Sequence, residues 1–143
     1  MLHILLVEDD DVDVEAVVRA FQKQQLDYSF TIVANGVEAL LCLRGDGDRP
    51  PLPQPYIILL DLNLPRMNGI EFLHELRCDK NLQNSIVFVL TTSSRQEDKL
   101  AAYNKQVAGY IVKTRAGEDF CHMIALLTSY EKVIEFPPAQ SSG

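Results

Sequence analysis

Short apolar runs alternate along the chain with segments whose apolar residues recur at helical spacing. Residues 3–7 are continuously apolar after His3 and stop at acids, which reads as a buried strand. Val14, Val17, Val18 and Phe21 then follow the i, i+3, i+4, i+7 spacing of one helix face. Residues 30–33 are β-branched and predict a second strand, and Val37, Leu40 and Leu41 resume helical spacing up to a stop at Gly45. Four prolines and two glycines between Gly45 and Pro55 impose a loop. Residues 56–60 form a third apolar strand ending at Asp61, and Phe72, Leu73 and Leu76 mark a third helix. Residues 86–90 are a fourth buried strand. Ser94 and Glu97 have the spacing of a capping box for a helix over about 97–105 with a thin apolar face. Residues 110–112 give a fifth strand, and Phe120, Met123, Ile124 and Leu127 give a fifth helix whose stripe is core.

Five strand–helix units in succession predict an α/β protein, a parallel sheet covered by helices on both faces. Right-handed crossovers leave few topologies, and the doubly wound, flavodoxin-like order 2-1-3-4-5 is the expectation. A chain of 143 residues fits one domain, taken here as 1–135, with a Pro/Ser-rich flexible tail over 136–143. Val133, Ile134 and Phe136 carry apolar character past the fifth helix, and either pack back onto the domain or form a dimer contact.

Composition narrows the function. The net charge is −7 and the 13 Lys and Arg are scattered singly, so no basic cluster is present to bind nucleic acid. No apolar stretch is long enough to span a bilayer, and the first strand is too short for a signal-peptide core, so a cytoplasmic location is expected. Cys42, Cys78 and Cys121 have no metal-type spacing and are expected to be buried and reduced. His3, His74 and His122 are equally scattered, and structural or surface roles are expected for them.

In a sheet of this order the functional crevice lies beyond the carboxyl ends of the strands. There the sequence puts Glu8, Asp9, Asp10 and Asp11 after the first strand, Asp61 after the third, Thr91 and Thr92 after the fourth and Lys113 after the fifth. Two carboxylates ~5 Å apart at an effective dielectric of ~20 repel by about 3 kcal/mol, so such a mouth calls for cations. Lys113 is one, and Mg²⁺, which takes oxygen ligands and keeps several waters, is the natural second. Asp9 and Asp61 suit direct ligation, a backbone carbonyl near Asn63 adds another oxygen, and Glu8 acts through water. A carboxylate can itself be the nucleophile in phosphoryl transfer, with catalysis reduced to positioning and charge stabilisation. Asp10, Asp11 and Asp13 are explained by the preference of acids for a helix N-terminus and are left out of the site. Asp9, Asp11 and Asp13 mimic the opening of a calcium loop, but Val14 stands where glycine is required.

These residues carry a resemblance. Glu8-Asp9, Asp61, Thr91 and Tyr110-x-x-Lys113, with the run from Asp61 to Gly69, resemble the receiver domain of response regulators over residues 1 to about 131. The resemblance implies that Asp61 takes a phosphoryl group from a sensor histidine kinase. Thr91 would then be drawn toward the phosphate while Tyr110, equally readable as a core aromatic, turns inward and alters the face of the fourth helix, fifth strand and fifth helix. That face or the C-terminal segment would support a homodimer. The proline-rich loop resembles that of regulators paired with phytochrome kinases. One departure is Thr114, where many receivers have proline; the Lys113–Thr114 peptide is expected to be trans, leaving open what aims Lys113. A phosphorelay intermediate is the alternative. A phosphatase of the haloacid dehalogenase type would need a second acid where Asn63 stands, and a flavodoxin would have its phosphate repelled by residues 8–11.

Overall fold

The computed structural model describes residues 2–117 and 120–138. Its strands are β1 (His3–Val7), β2 (Ser29–Val33), β3 (Tyr56–Leu60), β4 (Ile86–Thr91) and β5 (Gly109–Val112). They form one sheet of order β2-β1-β3-β4-β5, all neighbours parallel, as the connection rules predict. The helices are α1 (Asp11–Lys23), α2 (Gly36–Arg44), α3 (Gly69–Cys78), α4 (Gln96–Tyr103) and α5 (Cys121–Val133).

Alternation decides which helices each strand serves. Leu5, Val7, Ile58, Leu60, Val87 and Val89 point to one core with Leu40 and Leu43 of α2 and Phe72, Leu73 and Leu76 of α3. Their neighbours Ile4, Leu6, Ile57, Leu59, Phe88 and Leu90 point to the other, with Val17 and Phe21 of α1 and Ile124 and Leu127 of α5. A strand buried on both faces therefore reads as an unbroken apolar run. The edge strands β2 and β5 are only partly covered, which is why they were the shortest signals.

Several expectations are corrected. The capping box at Ser94 does not form: α4 starts one residue past Arg95, which makes no side-chain cap, because Ser93 rather than Ser94 holds this turn. The helix ends at Tyr103, short of the expected 105, and buries only Ala102. On α2 the buried stripe is Ala39, Leu40 and Leu43, and Leu41 is left at the surface. The cysteines are not buried: Cys42 is partly covered and Cys78 and Cys121 are exposed, all three as free thiols. They lie on the outer parts of amphipathic helices, where apolar character in the sequence does not mark the core. Thr91 is the last residue of β4, and Phe120 precedes α5 in a left-handed conformation, φ 59, while packing against the core.

Past α5, Phe136 packs edge-on to Tyr130 with ring centroids 6.3 Å apart, whereas Val133 is exposed. The expected flexible tail lies, for residues 139–143, outside the described residues. No helix among the described residues is long and apolar enough to cross a membrane.

One side chain ties the far pole together. The Arg77 guanidinium donates to the carbonyls of Lys105 at 2.7 Å, Gln83 at 2.7 Å, Ser85 at 2.8 Å and Gln106 at 3.0 Å. It thereby joins α3 to the connections on either side of β4 and fixes the C-terminal end of α4. Charge-assisted bonds contribute about 1.5–3 kcal/mol each before water replaces them. With some of the carbonyls reachable by water, Arg77→Ala is expected to cost about 3 kcal/mol in urea unfolding. A loss under about 1 kcal/mol would show that water replaces the clamp.

Candidate functional site

Register brings the chemistry to one edge. Val7 lies opposite Leu60 and Val33, Leu60 opposite Val89, and Thr91 opposite Val112, so the strands end at one edge, with β4 and β5 running two residues past β3. The residues leaving β1 and β3 are anchored by their own amides: Glu8 N–H donates to Val33 O at 2.9 Å and Asp61 N–H to Val7 O at 3.0 Å. Asp10 caps α1, its carboxylate accepting from the amides of Val12 and Asp13, so the chain turns sharply after Asp9. Asn68 and Glu71 form a reciprocal capping box on α3. Gly69 then lies so close to Asp61 and Leu62 that an added Cβ would be 2.7 Å from Asp61 O and Leu62 Cα.

Glu8, Asp61 and Thr91 are buried, and Asp9 is exposed. Carboxylate oxygens of Glu8, Asp9 and Asp61 lie within 4.8 Å of one another. Lys113, on a short 3-10 turn after β5, places Nζ 2.8 Å from Glu8 Oε2, 2.7 Å from Asp13 Oδ2 and 3.7 Å from Asp61 Oδ2. One ammonium thus serves three carboxylates. Burial pushes the Glu8 carboxyl up to about 7; the Lys113 hydrogen bond opposes this and the Asp61 charge adds to it. Burial alone would lower Lys113, but Asp13 and Glu8 together push it up to about 12. The two shifts are compatible because Lys113 is shared, so Glu8 receives only part of its compensation.

The hard oxygen donors and the excess negative charge fit a divalent ion of the Mg²⁺ or Mn²⁺ type. Asp61 Oδ1 also accepts from Asn63 N–H at 3.2 Å, which holds that peptide against the acid. Thr91 Oγ1 accepts from Ser93 N–H at 3.4 Å. Ser93 Oγ donates to Asp98 at 2.5 Å and accepts from Arg95 N–H, while its carbonyl accepts from the Tyr110 hydroxyl at 3.0 Å. Tyr110 is half-buried and packs against the core of α2 and α3. The Lys113–Thr114 peptide is trans; among the described residues the cis bond is Gln54–Pro55.

Sequence reasoning misses Asp13: a helix N-terminus accounts for an acid there, yet the structure brings its carboxylate onto Lys113. Its place in the first turn of α1, close behind Glu8 and Asp9, is the signal that points to the pocket.

A doubly wound sheet of this order with an acidic pocket at its carboxyl edge defines a class, the receiver domains of two-component signalling. Residues 4–125 match the response regulator receiver domain, and the chain belongs to that family. It is 35% identical to response regulator Rcp1 of Synechocystis over 127 residues, 89% of this chain and 86% of Rcp1. The crystal structure of the Mn²⁺-bound form of Rcp1 superposes with a TM-score of 0.81 at 34% identity, covering 95% of this chain and 99% of Rcp1. That of the phosphorylated cyanobacterial phytochrome response regulator RcpA gives a TM-score of 0.78 at 30% identity, covering 95% and 98% of the two chains.

Proposed function

We propose that Asp61 accepts a phosphoryl group from a phosphohistidine of a sensor histidine kinase in a Mg²⁺-dependent reaction, and that the product switches protein contacts. The observation that carries this reading is the buried Asp61 carboxylate grouped with Glu8 and Asp9 and lying 3.7 Å from Lys113. An Asp61 oxygen attacks phosphorus, the P–N bond breaks, and its electron pair stays on the imidazole, which takes up a proton. Water later cleaves the acyl phosphate, releasing inorganic phosphate and restoring the carboxylate. Mg²⁺, held by Asp9, Asp61 and the Asn63 carbonyl with Glu8 through water, would neutralise the charge between carboxylate and phosphoryl oxygens. Lys113 pairs with a second phosphoryl oxygen, and Thr91 donates its hydroxyl to a third. Thr91 is buried beneath Ser93, so drawing it toward the phosphate loosens the Ser93 turn and frees Tyr110 to move.

The protein acts as a switch, not a multiple-turnover enzyme. Its similarity to a phytochrome response regulator favours a phytochrome-type kinase as donor. Exposed Leu100, Tyr103 and Leu126 on α4 and α5, continued by Val133, offer the face that a second copy would cover. The test is to treat the protein with acetyl phosphate and Mg²⁺, reduce with borohydride and map the modified residue by mass spectrometry. Modification at Asp61 is expected; another site overturns the proposal.

Metal binding should depend on pH. With the Glu8 carboxyl at about 7, the proton it holds at lower pH removes one negative charge from the pocket. Affinity for Mg²⁺ should therefore rise with pH and level off above about 7, by about tenfold between pH ~6 and pH ~8. In the metal-free protein the sign is opposite for stability. The folded state keeps a proton that the unfolded chain releases, so stability falls as pH climbs from the ordinary glutamate value of 4.5 through about 7. Titrations at several pH values check the first effect, and Glu8→Gln should flatten both.

A further inference from the structure

Thr114 follows Lys113 through an ordinary trans peptide, so the aim of the lysine must come from its partners. Its shortest contact is with Asp13 at 2.7 Å, followed by Glu8 at 2.8 Å. An ammonium has three N–H donors. Two are taken by Asp13 and Glu8, and Asp61 lies at 3.7 Å, beyond hydrogen-bond range. The Asp13 amide donates to Oδ1 of the capping Asp10 at 3.3 Å, which ties its backbone into the first turn of α1. The carboxylate in shortest contact with Lys113 is thus mounted on α1, and it is not one of the acids grouped around the cation pocket.

We infer that Asp13 is a positioning residue that holds the Lys113 ammonium off Asp61, keeping the Asp61 oxygen open to the divalent ion. The inference rests on the proposed reading of the pocket as a cation-assisted acceptor site. Without Asp13 the ammonium can close from 3.7 Å to a direct ion pair with Asp61. At an effective dielectric of ~20 the added attraction corresponds to about a tenfold shift toward the closed pair. The lysine then competes with the metal for the same oxygen.

The experiment is Mn²⁺ binding, read from the electron paramagnetic resonance signal of the free ion, with thermal unfolding run alongside. Asp13→Ala should weaken Mn²⁺ binding about tenfold. Asp11→Ala, which removes an exposed acid from the same helical turn, should change it by about twofold or less because its charge is screened. In a Lys113→Ala background, Asp13→Ala should add less than about twofold, because its effect passes through the lysine. Labelling of Asp13→Ala by acetyl phosphate should recover as Mg²⁺ is raised to saturation. Asp13→Ala binding like Asp11→Ala, or losing the same affinity with and without Lys113, overturns the positioning role alone. Wild-type protein that binds no Mn²⁺ overturns the pocket's assignment and the positioning role with it.

Discussion

Asp61→Asn should reduce labelling by acetyl phosphate in Mg²⁺ to the background of the assay. The amide keeps the volume and the hydrogen bond from Asn63 N–H but has neither the charge to hold a cation nor the nucleophilicity to attack phosphorus. The loss should not come from unfolding. Asp61 is one of the groups that raise the Glu8 carboxyl, and it lies 3.7 Å from a lysine already engaged by Asp13 and Glu8. Removing its charge relieves more repulsion than it sacrifices attraction. Asp61→Asn is therefore expected to unfold at a higher temperature than wild type in metal-free buffer, by about 1 kcal/mol of stability. Undiminished labelling of a folded Asp61→Asn protein would move the acceptor to another residue.

Gly69→Ala, at the first residue of α3, should be the most damaging small substitution where the chain passes from β3 into that helix. The new methyl would sit 2.7 Å from Asp61 O and Leu62 Cα and 2.9 Å from Leu62 Cδ2, and two of these three atoms are backbone. They cannot rotate away. Gly69 N–H also donates to Leu62 O at 3.0 Å, so the close approach is part of the turn that starts α3. Relief requires the Asp61–Leu62 peptide to move, at a cost of about 3 kcal/mol from overpacking. Urea unfolding measures that loss. Because the displaced peptide carries the proposed acceptor, Mn²⁺ affinity should fall in the protein that remains folded. Stability within about 0.5 kcal/mol of wild type would show that the loop yields freely.

Much of this pocket is legible in one dimension. A parallel strand buried on both faces must be an apolar run, and its end must be polar, so Glu8-Asp9 and Asp61 announce themselves as strand-end acids. Gly69 is the last residue of the recognisable run from Asp61, and its demand is steric. The weaker elements were harder. The helix α4 buries only Ala102, so its limits are set by Ser93 and Asp98 across the turn and not by a stripe in its own sequence. The cysteines looked like core residues because thiols usually are, yet two lie exposed on helix surfaces.

The sequence by itself determined the strand–helix alternation, the parallel doubly wound sheet and the convergence of acids, hydroxyl and lysine on one edge. Those follow from periodicity and chain connection, which are local or combinatorial. Only the tertiary structure decided how one ammonium is divided among Glu8, Asp13 and Asp61, and that Asp13 belongs beside the pocket at all. The physical reason is distance: a difference of about an ångström separates a direct ion pair from a looser attraction. That margin is set by the docking of α1 against the end of β5, across a hundred residues of chain.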